Sequence, residues 1–104
     1  ILVVDYNKLS SYGDVNESMN LEPLADKIRA FNFYTIEIDG NNMEHVVNAL
    51  NEAYQVINKP IAIVCNTVKG KGISFMENNP KWHNGQISDE EYKIAMKDLE
   101  KVEV

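Results

Sequence analysis

The chain has 104 residues, of which 44% are hydrophobic and 25% charged, and this composition predicts one globular domain with a modest core. Ten Lys and Arg against sixteen Asp and Glu give a net charge of −6, which argues against a nucleic-acid partner and against an anionic membrane surface. A single cysteine, Cys65, excludes an intrachain disulfide framework, and no apolar run approaches the roughly 18 residues that span a bilayer. We therefore predict a cytoplasmic protein.

The first half of the chain alternates strand-like and helix-like segments. Residues 1–6 form an apolar run of strand length, and residues 7–20 are a polar stretch typical of a connecting loop. A loop of roughly 14 residues exceeds the usual connection in a compact domain, and such loops tend to be functional. Helical spacing of apolar residues predicts a helix over residues 22–31, and aromatic and β-branched residues predict a strand over residues 33–38.

The middle of the chain contains the most regular helical pattern. Its apolar residues at helical spacing are Met43, Val46, Val47, Leu50, Ala53, Tyr54 and Ile57. Asn41, followed three residues later by Glu44, has the spacing of a capping box and predicts the start of this helix. Pro60 ends the helical region, because the residue before a proline avoids helical backbone angles. The continuous apolar run over residues 61–65 then predicts a strand that is buried on both faces.

The last predicted element is a helix over residues 89–101, which begins with a capping box between Ser88 and Glu91. Its predicted inward side chains are Tyr92, Ala95, Met96 and Leu99. The element order β, α, β, α, β, loop and α predicts an α/β fold, with a parallel sheet, flanking helices and right-handed crossovers. Such a sheet is covered on both faces and expects more strands, and the chain begins in a strand without an initiating Met, so we expect a fragment of a larger protein.

Polar side chains follow the first strand at its carboxyl end, which is the functional end of a parallel sheet. Asp5 and Asn7 lie there. Oxygen ligands of this kind suit a hard cation such as Mg²⁺, which usually also takes oxygens from substrate phosphates. The alternative is an Asx turn that closes the strand, because Asp and Asn favour turns.

A lysine- and glycine-rich segment, Lys69-Gly70-Lys71-Gly72, follows the buried strand. Glycines let backbone N–H groups approach an anion and lysines neutralise its charge, so a phosphate-bearing ligand is the functional interpretation. The spacing matches neither a P-loop nor a dinucleotide fingerprint, and a solvated turn is the alternative.

His83 is the histidine with a candidate role, because Trp82 precedes it in a loop where a large ring can bury and aim its neighbour. A histidine there can donate a hydrogen bond to a phosphate or move a proton, and the alternative is a loop residue without a catalytic role. His45 is expected to be an exposed or half-exposed helix residue.

Several motifs, kept in order, together resemble transketolase, with the N-terminal subunit of split bacterial and archaeal enzymes as the best match. The motifs are Val4-Asp5-Tyr6-Asn7-Lys8-Leu9, Leu21-Glu22-Pro23-Leu24-Ala25-Asp26-Lys27, Ile38-Asp39-Gly40, Thr67-Val68-Lys69-Gly70-Lys71-Gly72-Ile73-Ser74-Phe75-Met76-Glu77 and Trp82-His83. The resemblance covers about residues 1–99. It implies that residues 1–104 are the C-terminal portion of a domain that binds the phosphates of thiamine diphosphate.

The resemblance also implies roles for individual residues. Asn7 matches an asparagine that holds Mg²⁺, and Leu9 matches the position whose backbone carbonyl completes that contact. Lys69 matches a lysine near the cofactor and substrate, and His83 matches a histidine beside the diphosphate and the donor sugar, which makes it the candidate catalytic residue. Asp5 matches a strand-end position that is not a ligand.

The sequence departs from the family pattern in one respect that affects the metal site. The family's Gly-Asp-Gly segment, which supplies the acidic Mg²⁺ ligand, is absent from these 104 residues, as are the family's upstream active-site histidines. An amide and a carbonyl alone should bind the metal weakly, because affinity for hard cations depends on ligand charge and number. The resemblance also implies a partner domain or subunit whose Glu activates the cofactor, within a homo- or hetero-oligomer.

The implied reaction is the transfer of a two-carbon ketol unit between sugar phosphates, as in the pentose phosphate pathway, with the chain inactive when alone. One alternative is another thiamine diphosphate enzyme, such as a deoxyxylulose-phosphate synthase. A second alternative is a non-catalytic fragment that serves in assembly.

Overall fold

The computed structural model describes residues 1–101, which form a parallel sheet with helices beside it. The elements in chain order are β1 (Leu2–Tyr6), β2 (Leu9–Ser10), β3 (Gly13–Asp14), α1 (Val15–Ser18), α2 (Leu24–Ala30), β4 (Tyr34–Asp39), α3 (Met43–Gln55), β5 (Ile61–Asn66), a 3₁₀ helix (Pro80–His83) and α4 (Asp89–Leu99). The predicted α/β class, with a parallel sheet and flanking helices, is confirmed.

The sheet has the strand order β1-β5-β4, so the strand that comes last of the three in the sequence is central. Both neighbours of β5 run parallel to it, and Asn66 lies opposite Tyr6 on one side and opposite Asp39 on the other. The carboxyl ends of all three strands therefore meet at one edge of the sheet. We call this edge the carboxyl edge.

The core lies on both faces of β5, as predicted from its continuous apolar run. Val64 packs with Tyr6 and Ala25 on the face covered by α2. Ile63 packs with Ala49 and Ala53 on the opposite face, which α3 covers. Adjacent residues of a strand point to opposite faces, so the burial of both residues requires a helix layer on each side.

The prediction that residues 7–20 form a connecting loop is wrong, because this segment contains secondary structure. It contains the two-stranded antiparallel sheet of β2 and β3, and the single helical turn α1. Asp14 caps α1, because its side chain accepts a hydrogen bond of 2.7 Å from the N–H of Asn16. Elements of two to four residues are too short to leave a hydrophobic period in the sequence.

The predicted cap of α3 is wrong by one residue. The side chain of Asn42, not Asn41, accepts hydrogen bonds from the N–H groups of Glu44 at 3.0 Å and His45 at 3.2 Å. Asn41 instead binds the loop after β5, through a bond of 2.7 Å from the N–H of Val68 to Asn41 Oδ1. Two neighbouring asparagines give the same local pattern, and a long-range contact decides between them.

The capping box at the start of α4 is confirmed, but the predicted inward face is wrong apart from one residue. Ala95 is buried, whereas Tyr92, Met96 and Leu99 are 56%, 44% and 45% exposed. The helix lies beside the loop after β5, where Asp98 accepts hydrogen bonds from the backbone and side chain of Ser74. A loop buries less of the surface of a helix than a sheet buries, which accounts for the exposed apolar residues of α4. Among residues 1–101, no helix is long and apolar enough to cross a membrane.

Candidate functional site

The carboxyl edge brings together two segments that are sixty residues apart in the sequence. Thr67, just after β5, donates a hydrogen bond from its hydroxyl to Asp5 of β1. Its N–H also donates to the carbonyl of Tyr6, with an N···O distance of 3.4 Å. These bonds fix the start of both loops. Next to them lies a depression of about 470 Å³, lined by Asn7, Lys8, Leu9, Asp14, Asp39, Asn41, Asn66, Thr67, Val68 and Asn78.

Asn7 forms the Asx turn that the sequence left open as one interpretation. Its Oδ1 accepts a hydrogen bond of 2.9 Å from the N–H of Leu9, and Lys8 between them has a φ of 62°. The turn directs the half-buried side chain of Asn7 along the wall of the depression. An amide oxygen has two lone pairs, so this bond leaves one acceptor position on Oδ1.

The carbonyl of Leu9 points to the same side as its N–H, as the register of the small sheet shows. The N–H of Val15 donates to the carbonyl of Lys8 at 2.9 Å, while Leu9 is opposite Asp14. Bonded and non-bonded pairs alternate in an antiparallel ladder, so Leu9 and Asp14 are a non-bonded pair whose backbone groups point away from each other. Two oxygens, Asn7 Oδ1 and the Leu9 carbonyl, therefore face one side of this turn.

Two carboxylates, Asp14 and Asp39, also line the depression. Asp14 caps α1, and Asp39 accepts a hydrogen bond of 2.9 Å from the N–H of Asn41. Within residues 1–101, no group of three or more His, Cys, Asp or Glu side chains is arranged to hold a metal ion. The oxygen donors of this depression are thus mainly amides and backbone carbonyls.

The segment before Asn7 is held by a second contact. The hydroxyl of Tyr6, which is buried, donates a hydrogen bond of 2.8 Å to Glu22 Oε1, and Glu22 Oε2 accepts from the N–H of Leu24. The bond from Tyr6 lowers the pKa of the Glu22 carboxyl below its usual value. Burial, together with Glu22, raises the pKa of Tyr6. No local pattern in the sequence predicts a role for Glu22, since its pairing with Tyr6 spans sixteen residues.

Lys69 follows directly after the residues that line the depression and is half-buried. Its backbone carbonyl accepts a hydrogen bond of 2.9 Å from the N–H of Asn78, so the loop that starts at Lys69 returns to it. Asn41, in the connection between β4 and α3, accepts a hydrogen bond from the N–H of Val68, the residue before Lys69. Asn41 was not predicted as a site residue, and the signal available was its position directly after β4 at the carboxyl edge.

His83 lies apart from this depression, at the end of the 3₁₀ helix, and is exposed. Its neighbour Trp82 is anchored: the indole N–H donates a hydrogen bond of 3.0 Å to the carbonyl of Phe75, and the two rings are 5.2 Å apart. Trp82 therefore fixes the backbone that carries His83 without burying the imidazole. The structure brings Asn7 and Leu9 together in the lining of the depression. Lys69 follows the lining residue Val68 in the chain, and His83 lies on a separate loop.

The sequence over nearly the whole chain matches one known family. The family model described as "Transketolase, thiamine diphosphate binding domain" matches residues 1–100. This chain belongs to the transketolase family. The sequence resemblance is thereby confirmed, and the parallel sheet with its carboxyl-edge depression is part of a transketolase thiamine diphosphate binding domain.

Curated members of the transketolase family show the same relationship. A 6-deoxy-6-sulfo-D-fructose transketolase subunit from Clostridium sp. is 43% identical over 97% of this chain and 37% of its own length. A subunit of apulose-4-phosphate transketolase from Phocaeicola vulgatus is 33% identical over 95% of this chain and 35% of its own length. Human transketolase-like protein 2 is 32% identical over 96% of this chain and 16% of its own length. This chain thus spans little more than a third of the first two relatives.

The donor atoms of this transketolase domain fit part of a Mg²⁺ diphosphate site. Mg²⁺ takes oxygen ligands in octahedral geometry, and Asn7 Oδ1 and the Leu9 carbonyl are two neutral oxygens facing one side of a fixed turn. Lys69 adds a positive charge on the adjacent loop. These residues suit a metal that also takes oxygens from a diphosphate, and they leave further coordination positions to other groups.

Proposed function

We propose that residues 1–104 form the C-terminal portion of the diphosphate-binding domain of a transketolase-like transferase. The enzyme would move a two-carbon ketol unit between sugar phosphates, and residues 102–104 lie outside the described part of the chain. The observation that supports this most directly is the pair of oxygens of Asn7 and Leu9 at the carboxyl edge, in a chain that belongs to this family. Bound thiamine diphosphate would supply the carbanion-stabilising centre for the transfer.

Each proposed site residue has a distinct task. Asn7 Oδ1 and the Leu9 carbonyl would hold Mg²⁺, and the Asx turn would keep both oxygens in place before the metal arrives. Lys69 would neutralise negative charge on the diphosphate side. His83 would hydrogen-bond a phosphate or the donor sugar, or move a proton there, in the role of a catalytic residue.

A complementary subunit or domain is part of the proposal. The Clostridium and Phocaeicola relatives are named as transketolase subunits, which favours an enzyme of more than one chain. The partner would supply the Glu that activates the cofactor, and a segment outside these 104 residues would supply the acidic metal ligand. A homo- or hetero-oligomer, a place in the pentose phosphate pathway and a cytoplasmic location stay predictions.

Titration calorimetry tests this function on the intact gene product, with and without its partner subunit. We expect thiamine diphosphate to bind only when Mg²⁺ is present, because the diphosphate and the metal share oxygens. We expect the 104-residue segment alone to bind at least about tenfold more weakly, because affinity follows the number and charge of the metal ligands.

Three outcomes would decide between the alternatives. Absence of cofactor binding by the intact protein with its partner would contradict the enzymatic proposal and favour a role in assembly. Micromolar binding by the isolated segment would contradict its incompleteness. Cofactor binding together with condensation of pyruvate and glyceraldehyde 3-phosphate, rather than ketol transfer, would favour a deoxyxylulose-phosphate synthase.

A further inference from the structure

The turn that begins at Lys69 is held at both ends by two adjacent residues. At its start, the carbonyl of Lys69 accepts a hydrogen bond of 2.9 Å from the N–H of Asn78. At its end, the N–H of Gly72 donates a hydrogen bond of 3.1 Å to Glu77 Oε1. The first contact uses backbone atoms alone, whereas the second depends on one side chain. Of these two contacts, the one made by Glu77 is therefore the one that a side-chain substitution can remove.

The turn is also packed against the returning segment without spare room. Gly70 has a φ of 72°, and a Cβ at this position would lie 2.5 Å from the carbonyl oxygen of Met76. Only glycine combines that backbone angle with so close an approach. The position of Lys69 is thus coupled to the segment around residues 76–78, and Glu77 is the side chain of that segment that binds back to the turn.

The two lysines of the turn differ in their surroundings. Lys71 Nζ lies 3.4 Å from Glu77 Oε1, whereas Lys69 forms no ion pair with any carboxylate of residues 1–101. The hydrogen bond from Gly72, aided by Lys71, lowers the pKa of the Glu77 carboxyl, so it is ionised at neutral pH. Glu77 thus pairs with Lys71, whereas Lys69 is the lysine of this turn that has no carboxylate partner within residues 1–101.

We propose that Glu77 is a positioning residue for Lys69: its side chain accepts the hydrogen bond from Gly72, holds the turn closed, and thereby keeps Lys69 in place to meet the diphosphate. This inference rests on the proposed function, because it assumes that Lys69 contacts the diphosphate of the cofactor. It assigns Glu77 no direct contact with the ligand.

The test compares two variants of equal side-chain length in the intact protein with its partner subunit. Glu77→Gln keeps an oxygen that can accept from Gly72, and Glu77→Met does not, while both lose the ion pair with Lys71. The probe is thiamine diphosphate at saturating Mg²⁺, and calorimetry gives its dissociation constant and stoichiometry separately. We expect about tenfold weaker binding for Glu77→Met and a change of less than about threefold for Glu77→Gln, both at full stoichiometry.

A double-mutant cycle separates positioning from general loss of structure. If Glu77 acts through Lys69, Glu77→Met should have less than a twofold effect in a Lys69→Met background. Lys71→Met is the matched control and should change affinity by less than twofold, because the bond from Gly72 to Glu77 remains. Should Glu77→Met fail to fold, Glu77→Ala replaces it in the same cycle.

The contradicting outcomes are distinct. Unchanged affinity in Glu77→Met, equal losses for Glu77→Met and Glu77→Gln, or an undiminished effect in the Lys69→Met background would overturn the role of Glu77 and leave the proposed function standing. Failure of the unsubstituted protein to bind thiamine diphosphate would overturn both.

Discussion

At Asn7, the two interpretations that the sequence presents as alternatives are compatible. Its side chain closes an Asx turn on the N–H of Leu9, and the same turn directs one further acceptor position of Oδ1 and the Leu9 carbonyl to one side. An Asx turn is therefore not evidence against a metal site at this position. In the proposed site, the turn would arrange two neutral oxygens before a cation binds, so the entropy cost of ordering them would be met during folding.

Replacement of Asn7 separates the turn from the metal contact. We expect Asn7→Ala to weaken Mg²⁺-dependent thiamine diphosphate binding by at least about tenfold, since even outer-shell partners of metal ligands cost this much when removed. Asn7→Asp retains an oxygen for Leu9 and for the cation, and should keep most of the affinity. Calorimetry of the intact protein measures the affinity of both variants for thiamine diphosphate, and unchanged affinity in Asn7→Ala would contradict the proposed role of Asn7 as a metal ligand.

His83 has a role only if ligand or a partner reaches its exposed loop. For the intact enzyme we expect His83→Ala to lower kcat by about 100-fold or more if the imidazole transfers a proton, or to raise the KM for the sugar phosphate if it only binds. His45→Ala on α3 is the control, because His45 is also exposed and lies on an unrelated element. Steady-state kinetics measures both values, and unchanged kcat and KM in His83→Ala would contradict the proposed role of His83.

The pair of Tyr6 and Glu22 predicts a defined pH dependence of stability. The pKa of Glu22 is lowered in the folded state, so its contribution is present above its usual value of 4.5 and is lost as the pH falls through the lower folded value. The pKa of Tyr6 is raised, so its contribution is present below 10.0 and is lost as the pH rises through the higher folded value. The hydrogen bond between Tyr6 and Glu22 therefore contributes most to the stability of the fold between pH 4.5 and pH 10.0.

Denaturant unfolding of Tyr6→Phe across pH tests this pair. We expect the loss of stability in the variant to be largest near neutral pH and to shrink in acid and in strong base. Tyr12→Phe is the matched control, because Tyr12 is 97% exposed, and it should match the unsubstituted protein at every pH. A loss in Tyr6→Phe that does not vary with pH would contradict the ionic character of this bond.

At the scale of elements, the sequence was informative where a pattern repeats over several turns or a strand is buried. The strand β5 matches the predicted continuous apolar run, because its adjacent residues Ile63 and Val64 are both buried, and the helix α3 lies within the segment that helical spacing predicts. The predicted helix over residues 22–31 is shorter in the structure, where α2 spans Leu24–Ala30. The residues at which a helix begins and ends depend on its caps more than on the periodicity of its apolar residues.

The errors at this scale came from contacts between distant parts of the chain. Asn41 and Asn42 are locally equivalent as caps, and the loop after β5 determines which of them is used. Likewise, exposed apolar residues such as Met43 and Tyr54 on α3 and Tyr92 on α4 fit a helical pattern but are not buried within residues 1–101. Periodicity identifies an apolar stripe and does not say what covers it.

The capping box of α4 gives a prediction at this scale. The hydroxyl of Ser88 accepts a hydrogen bond from the N–H of Glu91 and donates one to the Glu91 carboxylate. Ser88→Ala removes these two contacts and keeps the bond from the backbone N–H of residue 88 to the same carboxylate. We expect a loss of about 1 kcal/mol in the free energy of unfolding, measured by denaturant titration. Ser11→Ala, at an exposed position, should change stability by less than about 0.5 kcal/mol, and equal values for both variants would contradict the role of the cap.

At the scale of the whole molecule, fold class could be predicted but the assembly of the site only in part. The order of strands and helices determines a parallel sheet, and parallel strands place their loops at one edge. Which loops become neighbours depends on the strand order β1-β5-β4, and no local signal in the sequence specifies that β5 inserts between the two earlier strands. For this reason Asn7 and Lys69 could be linked by family resemblance and not by pattern.

The central position of β5 also affects how the chain folds during synthesis. The strands β1 and β4 do not pair with each other, and both pair with β5, which starts at Ile61. At ribosomal rates of about 5–20 residues per second, β1 waits roughly 3–12 s before β5 has been made. Until β5 emerges, β1 and, once it has been made, β4 each have an unpaired edge, which is a template for aggregation, and both depend on dilution or chaperones.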